Sequence, residues 1–216
     1  MKNIRAAVVL LSVILNQVKA QESFHKHALI ISADFGGDVY AITEKYNVNG
    51  YPNLGYTTTI GAACASYPIS VEYGVGKWLG LGLVAKFDNY AIKKDSATQY
   101  QPVATGFEFG ALVNFHLVRK EHLDFFLGLN LGSSSFIYTL DSHNDQLYGN
   151  GAWSDIHAGL RYYFHHFGIN ALLSFPNMNY NLTGNNANWS LGQDILSTWK
   201  ADGVAFNVGI QYRFFD

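Results

Sequence analysis

The chain has 216 residues, a formal net charge of −2, one cysteine, 14% charged and 15% aromatic residues. An average soluble protein carries about 25% charged residues, so this chain is too poor in charge for an ordinary water-facing surface. One cysteine excludes a disulfide framework, and the absence of a basic excess excludes a nucleic-acid partner.

The chain opens with the basic segment Met1-Lys2-Asn3-Ile4-Arg5, followed by Ala6–Leu15, apolar except for Ser12, and then Asn16–Ala20. This is the layout of a secretory signal peptide with cleavage after Ala20, and it divides the chain into a signal, 1–20, and a mature domain, 21–216. The apolar run is shorter than the roughly 20 residues a helical span requires. Removing it takes away Lys2, Arg5 and Lys19 and no acid, leaving 11 basic against 16 acidic side chains. His25-Lys26-His27 has chelate-like spacing, but no acidic or cysteine partner stands near, and the segment is taken as a polar lead-in.

From there the chain alternates apolar and polar residues in eight segments, the period of a strand. They are 27–37, 66–76, 78–90, 103–118, 123–137, 152–164, 167–176 and 204–214. The last is clearest. Val204, Phe206, Val208, Ile210, Tyr212 and Phe214 share one face, with Ala205, Asn207, Gly209, Gln211 and Arg213 on the other. A helix would scatter these sets around its circumference, whereas a strand separates them. Ile30, Leu112, Phe126 and Leu172 break the pattern elsewhere.

The links alternate too. Gly76-Lys77, Val118–His122 and His165-His166 are short; Gly37–Ala65, Ala91–Pro102, Tyr138–Gly151 and Asn177–Gly203 are long. Short periplasmic turns and long extracellular loops are the habit of outer-membrane barrels. The predicted fold is therefore all-β, an eight-stranded antiparallel up-and-down transmembrane β-barrel. The long links carry Tyr40, Tyr46, Tyr51, Tyr56, Trp189, Trp199 and many asparagines, groups able to hold an extracellular ligand.

A soluble barrel would turn its polar face to water and load it with Lys and Glu. Here the polar face is mostly Gly, Ser and Asn, so the apolar face is predicted to meet membrane lipid. Tyr67, Trp78, Tyr90, Phe115, Phe164, Tyr212 and Phe214 are the expected interfacial aromatics, since amphipathic rings favour the headgroup layer. Eight strands leave an interior just wide enough for side chains. The expected lumen network is Asp34, Glu72, Lys86, Glu108, Asp155, His157, Arg161 and Arg213, joined by His116. Buried charges must be paired. Lys86 is expected to pair with Glu108, and Arg161 and Arg213 with Glu72 and Asp34.

Three stretches carry a likeness: Ile31–Gly36, Tyr67–Gly76 and Gln211–Phe214. Through them, and over 27–215 as a whole, the chain resembles the small OmpX/OmpA-type outer-membrane barrels, especially the β-barrel proteins common in Bacteroidetes. The resemblance implies a bacterial outer-membrane location and insertion by the barrel-assembly machinery, which in the family reads a terminal aromatic residue; here Phe215 and Asp216 follow Phe214. It does not imply a role. Some eight-stranded barrels modify lipid A, but the chain has no His-x-Ser; Ser142-His143 is adjacent. Nucleophile elbows and nucleotide-binding glycine loops are absent as well. The expectation is a barrel with no catalytic residue, cofactor or metal, serving surface interaction or envelope integrity. An outer-membrane lipid-modifying enzyme and a narrow channel are the alternatives.

Overall fold

Residues 23–48, 56–91, 103–139, 146–184 and 195–214 are described by the computed structural model; the predicted signal peptide and its cleavage point lie outside them. Eight strands follow one another: β1 (Leu29–Val48), β2 (Tyr56–Gly74), β3 (Leu79–Ala91), β4 (Val103–Arg119), β5 (Leu123–Thr139), β6 (Gln146–Phe164), β7 (Phe167–Gly184) and β8 (Ile195–Phe214). Each pairs antiparallel with the next, and β1 closes on β8 from Leu29↔Phe214 to Val48↔Ile195. Closure removes every free sheet edge, which is what lets strands cross a bilayer with all backbone groups satisfied. Short turns at 75–78, 120–122 and 165–166 define one end of the barrel. The β6–β7 turn is His165-His166, where His165 takes a left-handed backbone (φ 62°) that suits a tight hairpin.

Side chains alternate in and out as the pleat requires. Phe109, Leu131, Ile156, Phe175, Val208 and Ile210 stand exposed on the outer surface, part of an apolar belt that runs around all eight strands. A soluble monomer shows contiguous apolar patches of only about 300–600 Å². A closed girdle of Leu, Ile, Val and Phe is stable only in hydrocarbon, and the outer surface is accordingly a lipid-facing one.

The strands run further than the apolar alternation suggests. β1 continues past Gly37 to Val48, β2 begins at Tyr56, β6 at Gln146 and β8 at Ile195, while β7 reaches Gly184. The reason is a change of phase. On β1 the outward residues become Ala41, Thr43 and Lys45 while Tyr40 and Ile42 turn inward and are buried. On β7 the outward residues become Asn177, Asn179, Asn181 and Thr183, and Met178, Tyr180 and Leu182 are buried. Beyond the lipid the barrel behaves as a soluble one, with its apolar residues inside.

A strap, Ser23–Ala28, crosses the short-turn mouth before β1 begins. Ser23 N donates to Lys120 O (3.0 Å) and Ser23 Oγ to Leu123 O (2.9 Å), while His27 N donates to Gly74 O (2.7 Å). Phe24 is thereby buried in the mouth.

Candidate functional site

The lumen is built in tiers from the inward-facing residues. Nearest the short turns, Glu72 of β2 and Arg161 of β6 meet across the barrel, with Arg161 Nη2 donating to Glu72 Oε2 at 2.7 Å. Arg161 Nη1 also reaches Asp124 at 3.4 Å. His116 links the two carboxylates through both ring nitrogens, 2.7 Å to Glu72 and 2.8 Å to Asp124. Phe24 of the strap stacks flat on His116, with centroids 3.4 Å apart, and Arg161 lies over the Phe126 ring at 4.1 Å. The tier is thus an ionic cage under an aromatic lid. Its charges are enclosed, and mutual pairing with hydrogen bonds is what makes such enclosure tolerable.

The middle tier is amide- and hydroxyl-rich. Asn114 Nδ2 donates to Glu72 Oε2 (2.9 Å), and its Oδ1 lies 2.9 Å from His157 Nε2. Asp155 accepts from Asn130 Nδ2 (3.2 Å) and from Phe175 N (3.1 Å), and Asp34 accepts from Asn170 (2.8 Å). A cavity of about 50 Å³ lies among Asp34, Lys86, Asn114, Asp155, His157 and Arg161. It has room for a few waters bridging these polar groups.

Above it, Lys86 Nζ is paired to Asp38 and to Asp88, the latter at 3.1 Å, and donates to Tyr40 Oη at 3.1 Å. Asp38, Cys64 and Asp88 bring donor atoms within 4.8 Å of one another, close enough to hold a cation. The cation placed there is the Lys86 ammonium itself. Glu108 accepts from Ser134 Oγ at 2.8 Å, and Ser134 lies 2.6 Å from Tyr180 Oη. The last tier is apolar: Ile42, Phe136, Leu147, Met178, Tyr180 and Leu182 pack together, with Trp199 against them. Trp199 Nε1 donates to Glu44 at 2.6 Å, satisfying the one polar atom of its ring.

Asp34, Glu72, Lys86, Glu108, Asp155, His157, Arg161 and Arg213 all point inward. Two expected pairings need correction. Lys86 is opposite Glu108 in the β3–β4 register, yet its ion pairs are with Asp38 and Asp88. Asp38 stands on a part of β1 where the apolar signal has already faded. Arg213 is held by carbonyls, of Ser23 (2.8 Å) and His165 (3.5 Å), and lies over the Tyr163 ring. The strap brings those acceptors to it, while Asp34 sits further up the lumen with Asn170.

Among the expected interfacial aromatics, Tyr67, Trp78, Phe115, Phe164 and Phe214 are exposed on the outer surface, and Tyr212 packs edge-on between Phe167 and Phe214. Tyr90 is a correction. It shares the parity of Lys86 and Asp88, points into the lumen and packs against Phe136 (5.4 Å) and Tyr40 (6.1 Å). The loop aromatics Tyr51 and Trp189 lie outside the described residues, whereas Tyr40 and Trp199, expected in loops, are inward strand residues. Asp38 and Phe24 were not singled out from the sequence, and Asp88 and Asp124, which fall on the polar faces of their strands, were left out of the expected network.

No protein-family model and no curated protein sequence matches the chain. Solved structures do. The outer membrane protein OprG from Pseudomonas aeruginosa superposes with a TM-score of 0.61 at 14% identity, over 90% of this chain and 99% of that one. AlkL, determined by solid-state NMR in DMPC lipid bilayers, gives 0.55 at 14% identity, over 92% and 95%. Neisserial surface protein A gives 0.52 at 14% identity, over 83% and 97%. At such identities the likeness is one of fold: the chain has the architecture of the small outer-membrane β-barrels.

Proposed function

We propose that this chain is a non-enzymatic integral protein of the bacterial outer membrane, serving surface interaction or envelope integrity rather than the passage of solutes. The observation that carries the reading is a filled lumen inside a lipid-facing wall. The ionic cage and Phe24 occupy the half toward the short turns, and the aromatic and aliphatic cluster occupies the other. With an even number of strands, the strap and the short turns belong on the periplasmic side and the long links outside, where a ligand would be met. Insertion would fall to the barrel-assembly machinery. Kinship with the barrels common in Bacteroidetes rests on the three sequence stretches given above.

The disposition of histidines also favours a non-enzymatic reading. Among the described residues, His116 and His157 are enclosed in the lumen, and His25, His27, His122, His165 and His166 lie at the short-turn mouth. A hydrolase of outer-leaflet lipid would need an activated nucleophile on the lipid face at the opposite end.

Two measurements test the proposal. The chain should appear in the outer-membrane fraction and migrate differently on a gel before and after boiling. Recovery from the soluble periplasm with unchanged migration would end the membrane reading. Deleting the gene should leave the acyl count of lipid A unaltered; a change in that count would favour the enzyme instead.

A further inference from the structure

Asp155 and His157 stand two residues apart on β6 and both point into the lumen, where they line the 50 Å³ cavity together with Asn114 of β4 and Asn130 of β5. The neighbours of His157 fix its tautomer. Asn114 Nδ2 donates to Glu72 (2.9 Å), so Asn114 Oδ1 is left to accept, and His157 Nε2, 2.9 Å away, carries the ring proton. Asn130 Nδ2 donates to Asp155 Oδ2 (3.2 Å) and lies 3.5 Å from His157 Nδ1. An N–H group therefore faces Nδ1, which is the unprotonated nitrogen, and at 3.5 Å its lone pair is scarcely engaged.

Two further features are left over. Asn130 is 6% exposed, and its Oδ1 has no hydrogen-bond partner. Asp155 is bonded by Asn130 and by Phe175 N, both neutral. The cations that line the same cavity, Lys86 and Arg161, are bonded to other carboxylates, Asp38 and Asp88 for one and Glu72 and Asp124 for the other. An enclosed carboxylate with no cation bonded to it is costly. The outer partners are those of a metal shell: an imidazole whose second nitrogen is held by Asn114, and a carboxylate whose second oxygen is held by a backbone amide. The spacing fits as well. Tetrahedral ligands about 2.0–2.1 Å from zinc lie roughly 3.3 Å from one another, and the Asn130 amide atom stands 3.2 and 3.5 Å from Asp155 Oδ2 and His157 Nδ1. A half-turn of that amide exchanges Nδ2 for the unpartnered Oδ1 at this point.

We propose that His157 Nδ1, Asp155 Oδ2 and Asn130 Oδ1 form a site for a divalent transition-metal ion of the zinc type, with cavity water completing the shell. One imidazole nitrogen with carboxylate and amide oxygens suits such an ion better than calcium or magnesium, which take oxygen throughout. The ion would neutralise Asp155 and engage the idle lone pair and amide oxygen together. The inference departs from the expectation of a metal-free barrel and does not depend on the function proposed above. Because the lumen is closed at both ends, the ion would be enclosed as the barrel forms.

The test refolds the full chain into phosphatidylcholine vesicles with zinc present and then dialyses it against EDTA, which strips ions from the histidines at the short-turn mouth but not an enclosed one. About one zinc ion per chain should remain, measured by plasma mass spectrometry, and its X-ray absorption should show a single imidazole among oxygen ligands. His157→Gln and Asp155→Asn should each lose the ion while their gel migration still changes on boiling, the sign of a folded barrel. His25→Gln/His27→Gln should keep it. Absence of retained zinc in the parent chain overturns the inference, and so does zinc retained by folded His157→Gln. A shell of two or more imidazoles also overturns it, since that would put the ion at the mouth. This last reading is made on the parent chain and needs no variant to fold.

Discussion

Glu72 accepts from Arg161 and Asn114 and touches His116, while Gly80 on the neighbouring strand leaves the space its carboxylate occupies. A methyl group at Gly80 would meet Glu72 Cδ at 2.7 Å and Cγ at 2.9 Å, closer than real contacts allow. Glu72→Ala strands Arg161 with only the longer Asp124 contact, a change of the kind that costs about 3–5 kcal/mol for a broken buried pair. Gly80→Ala should also destabilise the native background, yet cost little once Glu72→Ala has emptied the space. Urea-unfolding midpoints of the two single variants and the double variant in lipid vesicles would measure this coupling; additive losses would mean that Gly80 is spared for some other reason. At this scale the sequence was legible where parity alone decides. It placed nine polar residues inside and expected Arg161 to meet Glu72, which it does across 89 positions of sequence, but it missed the partners of Lys86 and Arg213, because Asp38 and the strap carbonyls lie on segments that the apolar alternation does not mark. Tyr90 was misread because its place at a segment end outweighed its parity with Lys86.

Strand existence was legible and strand length was not. The apolar stripe marks only the part of each strand that touches lipid, and it fades where β1, β2, β6, β7 and β8 continue beyond the belt. On β8 the outward row Val204, Phe206, Val208, Ile210 gives way, toward the N-terminus, to Asp202, Lys200 and Thr198. A charge placed on either stretch should therefore have very different consequences. Val208→Arg lies near the middle of the belt and should destabilise the inserted barrel by about 2–4 kcal/mol, whereas Asn181→Arg, on the outward face of the β7 extension, should cost about 0–1 kcal/mol. Equal effects on the unfolding midpoint would mean that the belt has been drawn in the wrong place. The strap makes a separate prediction. Phe24 shields His116 with a stacked ring, so Phe24→Ala should open the cage to water and cost about 3–5 kcal/mol. Diethyl pyrocarbonate should then modify His116 in the folded variant but not in the parent chain, as read by mass spectrometry. Equal labelling of His116 in both would show that the strap is no lid.

For the whole molecule, closure was legible because it is written into the alternation of short and long links, an even count of strands needing no other information. The double seal was not, since it arises from side chains of all eight strands meeting at the axis. Its two parts stand on different elements. The strap and the ionic cage close one half, and the cluster around Phe136, Met178, Tyr180 and Trp199 closes the other. An eight-stranded wall leaves only enough width for its own side chains, so a solute would have to displace both. The chain should accordingly give no unitary conductance steps in planar bilayers. Phe24→Ala, although it exposes His116, should still give none, because the apolar tier is untouched and a dry constriction of aromatic and aliphatic side chains opposes ions as well as larger solutes. Discrete steps from the parent chain would restore the channel reading. Steps from Phe24→Ala alone would assign the entire seal to the strap and leave the aromatic tier as wall packing rather than a gate.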